Sequence, residues 1–570
     1  MSLISPKRKA QAELESIFPP FIYSTVLTMA ISLIPLIAAT SLLALALYRY
    51  VLHPIFLSPL SKIPSAHWSA PLSRLWILYY RSREEETPTI HAAHERLGPI
   101  IRIAPNELSI NSVDGGIRTI YAGGYEKGDW YSNMFTNYGV MPMFAMPDHS
   151  PHSKRKRMIS NIYAKTTLQN SQSLNVISKT LLDDRLIPRL GNMAKDGKSV
   201  EFYWIFAAVA MDFVSAYVFG LGQSTNYVQA PIEGDKFFQD YKARQRYQFW
   251  PQDLPRLTSF LSSVGLQSLI IPAWVNRANR DIETLILRMC DKAENVVQNC
   301  ESQNEKIEAG SWPTVYAQLR NALLKEASTK PDLEASSDVV EMVQKQRLTV
   351  ASEMLDHTLA GFDTSSITLT FLAWELSRPE NSMWQERLRE EIASLTDKHD
   401  ARAIDSLTTL QAILMESLRL HAAIPGNQPR ITPASATLGA SPDTIFSQLP
   451  PGVRVQSQAW SLHRSPSVFP NPEHWDPSRW LPEAYPSPEA FEAAQKEMLR
   501  WFWAFGSGGR MCVGSNLAMY DMKAIIVAIW SSFRTKVADG GDDGMVHRGG
   551  YVAEPVGKDG KFLELALEAL

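Results

Sequence analysis

Between Glu15 and Arg49 the chain carries no Asp, Glu, Lys or Arg, and from Phe21 to Tyr48 it is nearly all apolar. A bilayer-spanning helix takes roughly 20 such residues. The run is therefore long enough to span a membrane, with tilt or with a kink at Pro35. Tyr23 near one end, and Tyr48 and Tyr50 at the other, suit the two interfaces. A cleaved signal peptide competes with this reading, but the run is long for one and no small-x-small site closes it. A buried core helix is the third possibility. Lys7, Arg8 and Lys9 lie on one flank and Arg49 and Lys62 on the other, so charge alone does not orient the segment. Pro54, Pro59, Pro64 and Pro71 follow, and proline blocks helix continuation. The expected division is a short tail over 1–20, a span over 21–48, a stiff connector over 49–71 and one body over 72–570.

The chain has 570 residues, with no repeat period and no long low-complexity linker, so one large domain accounts for the body. Hydrophobic residues at 45% and charged residues at 20% are the balance of a globular protein. A net charge of -3 implies no nucleic-acid partner. The 3 cysteines, Cys290, Cys300 and Cys512, are too few for a disulfide framework, and without a C-x-x-C pair they do not suggest structural zinc. Cys290 and Cys300 read as small hydrophobes in helical sequence. The absence of an N-x-S/T sequon agrees with a body outside the lumen.

Ile100–Ile110 alternates around Pro105-Asn106 and predicts two short strands. Residues 154–376 read as mainly helical, with breaks near Gly220, Pro251–Pro255 and Pro272. A break at Pro379 separates two helices, Leu407–Leu420 is another, residues 430–480 read as strands and loops, and Asn516–Trp530 is a final apolar helix. The fold class is mainly α with a minor β-sheet.

The chemistry concentrates in Trp501–Gly514, WFWAFGSGGRMCVG. Gly506, Gly508 and Gly509 permit positive φ and close backbone approach just before Cys512. An apolar helix is expected to begin at Cys512–Tyr520, where its first N–H groups favour an anionic sulfur. Arg510 supplies a fixed cation suited to a carboxylate. Phe505-x-x-Gly508-x-Arg510-x-Cys512-x-Gly514 is a chance event on the order of 10⁻⁴ in a chain this long. It resembles the haem-binding loop of the cytochrome P450 superfamily, F-x-x-G-x-R-x-C-x-G, at every position. The resemblance implies the cytochrome P450 fold with haem b, Cys512 as proximal thiolate ligand of the iron and Arg510 on a haem propionate; Phe505 and Gly508 shape the loop. Thiolate ligation pushes electron density toward iron and favours O–O cleavage.

Leu359–Ser365, LAGFDTS, lies within a long apolar helical stretch. A mid-helix glycine costs about 1 kcal/mol relative to alanine, and Asp and Thr compete for backbone hydrogen bonds. A local distortion with a polar notch is expected. The segment resembles the family's oxygen-activation motif. That implies a hydrogen bond from Thr364 at the oxygen-binding position, proton delivery assisted by Asp363, and room for dioxygen at Ala360 and Gly361. Glu416 and Arg419 share a helix face at i,i+3, and Trp475–Trp480 follows. These resemble the family's E-x-x-R and P-E-R-F motifs, making Glu416, Arg419 and Arg479 a structural triad, with Ser478 where glutamate is common. Arg430 matches a propionate-binding arginine. His152 and Lys156 match a His-x-x-x-Arg pair, with Arg155 and Arg157 as rival cations.

The resemblance is to membrane-bound fungal members and implies a single-pass protein of the endoplasmic reticulum, tail luminal and body cytosolic. It also implies a monooxygenase drawing electrons from NADPH through a separate reductase, with cytochrome b5 as a further donor. The product is a hydroxylated or epoxidised small hydrophobic compound, such as a terpenoid or polyketide secondary metabolite. The aromatic-rich stretches Tyr131–Phe144 and Tyr247–Leu257 are candidate pocket walls. An oxidative coupling or rearrangement catalyst, and a non-catalytic membrane haem protein, are the alternative functions.

Overall fold

A computed structural model describes residues 20–303, 307–328, 339–442, 444–538, 544–557 and 560–570. The expected tail over 1–20 lies almost wholly outside them. Helix α1 (Pro20–Leu47) includes Pro35 and passes into a wider helical stretch, Tyr48–Leu57, which takes in Pro54. The expected connector therefore starts later than position 49. The looser turns accommodate a proline that an α-helix would reject, and the rod ends at Ser58, where the backbone is extended ahead of Pro59. From Leu33 the rod's large apolar side chains are exposed, Leu42 and Leu43 by 67% and 71%. That much bare apolar surface is foreign to a water-facing helix.

The rod is fixed to the body by one contact in particular. The Arg102 guanidinium donates to the Pro54 carbonyl at 2.8 Å and to the Pro105 carbonyl at 2.7 Å. Arg102 lies on β1 (Ile100–Ala104), which pairs antiparallel with β2 (Glu107–Ile110), as the alternation predicts. These two strands belong to a four-stranded sheet, completed by β4 (Arg430–Ile431) and β7 (Arg454–Gln456) in the order β1-β2-β7-β4. Helix α2 (Glu86–Leu97) packs on it. A second sheet joins β3 (Val200–Glu201), β8 (Phe533–Val537) and β11 (Glu564–Ala569), with β11 central. The hairpins β5 (Ala436–Leu438) with β6 (Phe446–Leu449), and β9 (Met545–Arg548) with β10 (Glu554–Gly557), complete the strands among the described residues.

The rest is helical. Helix α3 (His149–Ile159) is followed by α4 (Phe202–Phe219), which is apolar on all sides and almost wholly buried. Its length and composition would suit a membrane, but 94% of it is enclosed, as expected of a central core helix. It ends at Gly220, where φ is +84°. Helices α5 (Pro231–Gln245), α6 (Ala273–Gln303) and α7 (Thr314–Ser328) surround α8 (Val339–Ser377). At 39 residues α8 is roughly 58 Å long and crosses the whole body beside α4. Pro379 breaks the chain as expected before α9 (Ser382–Ala393), and α10 (Thr408–Leu420) follows. Helices α11 (Pro488–Trp501) and α12 (Ser515–Trp530) flank the cysteine loop. Cys290 is buried in the main core, where burial pushes its thiol up.

Candidate active site

The loop from Phe502 to Gly514 is held at both ends. The Trp503 N–H donates to His463 Nε2 at 2.7 Å, and its indole N–H donates to Ser507 Oγ at 2.9 Å. The Cys512 N–H donates to the Phe505 carbonyl at 3.0 Å, closing the loop on itself. Gly506 and Gly508 have φ of +67° and +73°. At Gly508 a Cβ would stand 2.3 Å from the Tyr121 carbonyl oxygen, so only glycine lets the loop lie against that backbone. Phe505 packs on the edge of the main core.

Cys512 precedes α12 rather than opening it, because Gly514 is the residue that caps the helix. This corrects the expected helix start. The Gly514 N–H nevertheless reaches the sulfur. Burial pushes the Cys512 thiol up, while this N–H and the Lys156 ammonium pull it down. Cys512 is ringed by protein and yet exposed, so its side chain borders space inside the molecule. Lys156 Nζ donates to the carbonyls of Gly509 and Met511 at 3.0 and 3.2 Å. Arg155 turns away to Glu353 of α8 at 3.0 Å. Within the basic run, Lys156 therefore serves the cysteine loop.

A cluster of cations borders the same space. Arg510 donates to the carbonyls of Met146 and Pro147 at 2.6 and 2.7 Å, and Arg430 to the Tyr131 hydroxyl at 3.0 Å. Lys127 donates to the Phe144 carbonyl and lies over the rings of Tyr131 and Phe144. His152 is buried, and its Nδ1 has no partner. Burial first, then mutual repulsion, depresses these groups: Arg510 to about 10, His152 to about 3, and Lys127 well below its usual range. Among the described residues no carboxylate pairs with Lys127, Arg430 or Arg510. Such an arrangement fits a ligand that brings its own carboxylates, as the two propionates of haem do. Lys127 was not singled out in the sequence; a lone lysine in a glycine-rich stretch gives no signal there.

Helix α8 lies within electrostatic reach of these groups, since Asp356 acts on both Cys512 and Lys127. Ala360 is exposed and Thr364 and Asp356 are half-buried on a helix otherwise sunk in the core. Spaced by four, these residues share one face. The expected distortion is absent: α8 is unbroken through the motif. Hydroxyls of Thr364, Thr368 and Thr370 donate back to the carbonyls four residues earlier, at 2.8, 3.0 and 2.7 Å, and so are satisfied without opening the helix. At Gly361 a Cβ would stand 2.7 Å from Val214 Cγ2, so this glycine serves the close crossing of α8 with α4, and its neighbour Ala360 is the exposed residue of the pair. Asp363 points elsewhere again. Its carboxylate is buried in an ion pair with Lys242 of α5 and accepts from Tyr241 and Gln245 at 3.2 and 3.0 Å.

Behind the loop, Glu416 on α10 takes two bonds from Arg419, at 2.9 and 2.7 Å, and one from Arg479 at 3.3 Å. The Trp480 indole and the Asp476 N–H complete its shell at 3.0 and 2.9 Å. All the carboxylate's partners are thus internal.

A cavity of about 350 Å³ is walled by Trp130, Trp204, Phe249, Asp253 and Tyr551 among others, and Lys242 and Gln245, the partners of Asp363, also border it. The two aromatic stretches contribute less than expected. Tyr131 and Phe144 are spent enclosing Lys127, and from 247–257 the wall gains Phe249 but also Gln252 and Asp253. The wall is mixed rather than hydrophobic.

The model of the family described as Cytochrome P450 matches residues 144–557, a span holding the cysteine loop, the α8 motif and the buried triad. Cytochrome P450 monooxygenase avaI of Aspergillus versicolor is 27% identical over 436 residues, covering 75% of this chain and 93% of that protein. Cytochrome P450 monooxygenase cypX of Dothistroma septosporum is 26% identical over 509 residues, 88% of this chain and 90% of that protein. Cytochrome P450 monooxygenase stcF of Emericella nidulans is 27% identical over 506 residues, 87% and 91% of the two chains.

Proposed function

This chain belongs to the cytochrome P450 family of haem-thiolate oxidoreductases, and on that premise we propose a membrane-anchored monooxygenase that hydroxylates or epoxidises a secondary metabolite. One observation carries the reading. The loop bent at Gly506 and Gly508 leaves Cys512 exposed within electrostatic reach of Asp356 on α8, and cations without carboxylate partners among the described residues cluster near it.

In this reading Cys512 ligates the iron of haem b, and Arg430, Arg510, His152 and Lys127 hold its propionates. Lys156 holds the ligand loop through its carbonyls and helps keep the sulfur anionic. Bound there, haem supplies reductive activation of dioxygen and delivery of one oxygen atom to the substrate. The chain does the rest. Thr364 offers its hydroxyl on the cavity face, and Asp363 reaches the site only by leaving Lys242 and rotating about its side chain. Glu416, Arg419 and Arg479 keep the loop's backing rigid. Electrons come from NADPH through a separate flavoprotein reductase, with cytochrome b5 as a second donor. The exposed apolar rod supports a membrane anchor, which in this reading lies in the endoplasmic reticulum with the body cytosolic.

The test is spectroscopic. The reduced carbon monoxide complex is expected to show the red-shifted Soret band of thiolate ligation, and Cys512→Ala to lose it. Thr364→Ala is expected to keep the band while consuming NADPH with little product. A wild-type sample without that band overturns the reading. Incorporation of labelled dioxygen into product separates oxygen insertion from coupling or rearrangement.

A further inference from the structure

One carboxylate on the cavity face of α8 stands without a partner. Asp356 lies one turn before Ala360 and two before Thr364, so the three project from one side of the helix. It is ringed by protein and still half-exposed, as a side chain facing internal space is. No hydrogen bond or ion pair reaches it among the described residues. Two buried carboxylates elsewhere in the core show the usual arrangement. Glu353 accepts from Arg155 and from the Met143 N–H at 3.0 and 2.9 Å, and Asp212 accepts from Thr225, Tyr227 and Val228 at 2.7, 2.8 and 2.9 Å. Enclosing a carboxyl with nothing to bond costs stability unless a ligand completes it.

Its surroundings narrow the ligand. Glu353, on the same helix, repels it and is itself held by Arg155. Lys127 attracts it across the cavity without touching it. Tyr551, between β9 and β10, and Cys512 both feel its charge. Burial and Glu353 push the Asp356 carboxyl up to about 7. Tyr551 also walls the neighbouring cavity beside Trp130, so one side chain both borders that cavity and feels the charge of Asp356. Lys127 already offsets part of its charge, so what the carboxyl lacks is a hydrogen-bond donor rather than a second cation.

We propose that Asp356 is a specificity-determining residue that accepts a hydrogen bond from a hydroxyl group of the substrate and so sets which carbon faces Thr364 and Cys512. The inference rests on the cavity being the substrate site, and adds the polar group that its substrate carries. A site built to bond a hydroxyl rejects the analogue that lacks it, because its own buried group is left unpaired.

The experiment uses the haem-loaded full chain and two probes, 1-naphthol and 1-methoxynaphthalene, followed by the ligand-induced Soret shift of the ferric protein. Wild type is expected to bind the naphthol about tenfold more tightly or better. Asp356→Leu is expected to bind the two nearly alike, without weaker binding of the ether. Asp356→Asn, which keeps one acceptor oxygen, is expected to retain part of the preference, and it decides the question if the leucine variant fails to take up haem. Wild type binding both probes alike, or variants keeping the full preference, overturns the inference. The carbon monoxide band separates the two levels. Its absence from wild type overturns the site reading and this inference together, whereas an intact band with unchanged preference overturns the inference alone.

Discussion

Gly508 and Gly514 stand on either side of Cys512 in the motif, and the structure gives them different duties. Gly508 has φ of +73° and no room for a Cβ beside the Tyr121 carbonyl, whereas Gly514 has φ of -86° and nothing within 4 Å of a Cβ. Gly508→Ala is therefore expected to cost about 1–3 kcal/mol from backbone strain alone, with the clash added, and to lower both the haem-to-protein absorbance ratio and the thermal midpoint. Gly514→Ala is expected to leave both close to wild type. Equal effects would mean that the loop's shape is not what these glycines secure. At this scale the sequence was informative where chemistry is written in consecutive residues. Cys512, Arg510 and Thr364 could be named because a short spacing carried them. Lys127, Tyr551 and Asp356 could not, since each reaches the cavity from a separate part of the chain and has no local pattern to mark it. Gly361 was legible as a residue but not in its purpose, which depends on Val214 of another helix.

Elements meet behind the loop in a way that makes α10 its anchor. Arg419 is wholly buried and bonds Glu416 twice, then the carbonyls of His463, Pro472 and His474 at 3.0, 2.7 and 3.1 Å. His463 in turn donates from Nδ1 to the Arg419 carbonyl at 2.7 Å and accepts the Trp503 N–H at Nε2. One guanidinium thus joins α10 to the 463–474 segment, and the imidazole extends that junction to the start of the cysteine loop. Arg419→Leu takes two of the five bonds to Glu416 and strands three carbonyls, and is expected to cost about 3–5 kcal/mol. Arg479→Leu removes one 3.3 Å bond to Glu416 and one 3.1 Å bond to the Asn471 carbonyl and is expected to cost less. Denaturant unfolding of the two variants gives the order directly, and a larger loss at Arg479 would contradict this hierarchy. The helices were legible because apolar periodicity and proline breaks are local signals. Thr408–Leu420 falls within a residue of expectation, and the final helix ends at Trp530 as expected. The strand partners were not, because β11 pairs with β3 across most of the chain, and nothing in Glu564–Ala569 names Val200.

The whole molecule is a helical body carrying a bare apolar rod, and the joint between them has measurable consequences. Arg102 is 1% exposed, its Nε has no partner, and one of its guanidinium bonds goes to Pro54 inside the rod. The rod, proposed as an anchor, is therefore also a piece of the body's polar accounting. A chain beginning at Tyr48 keeps Pro54 and only the last apolar turns, whereas one beginning at Ser58 loses both. Full-length protein is expected to stay in the membrane pellet through alkaline carbonate, because a span of this length does not leave the bilayer reversibly. The Tyr48 chain is expected to bind membranes but to be extracted by carbonate. The Ser58 chain is expected to be soluble and to retain the thiolate Soret band, since no residue of the site lies in the rod. It should unfold more easily by about 1–3 kcal/mol, the cost of leaving a buried guanidinium short of an acceptor. Solubility with unchanged stability would show the Arg102 contact to be idle, and a Ser58 chain that stays in the pellet would place the membrane attachment in the body itself.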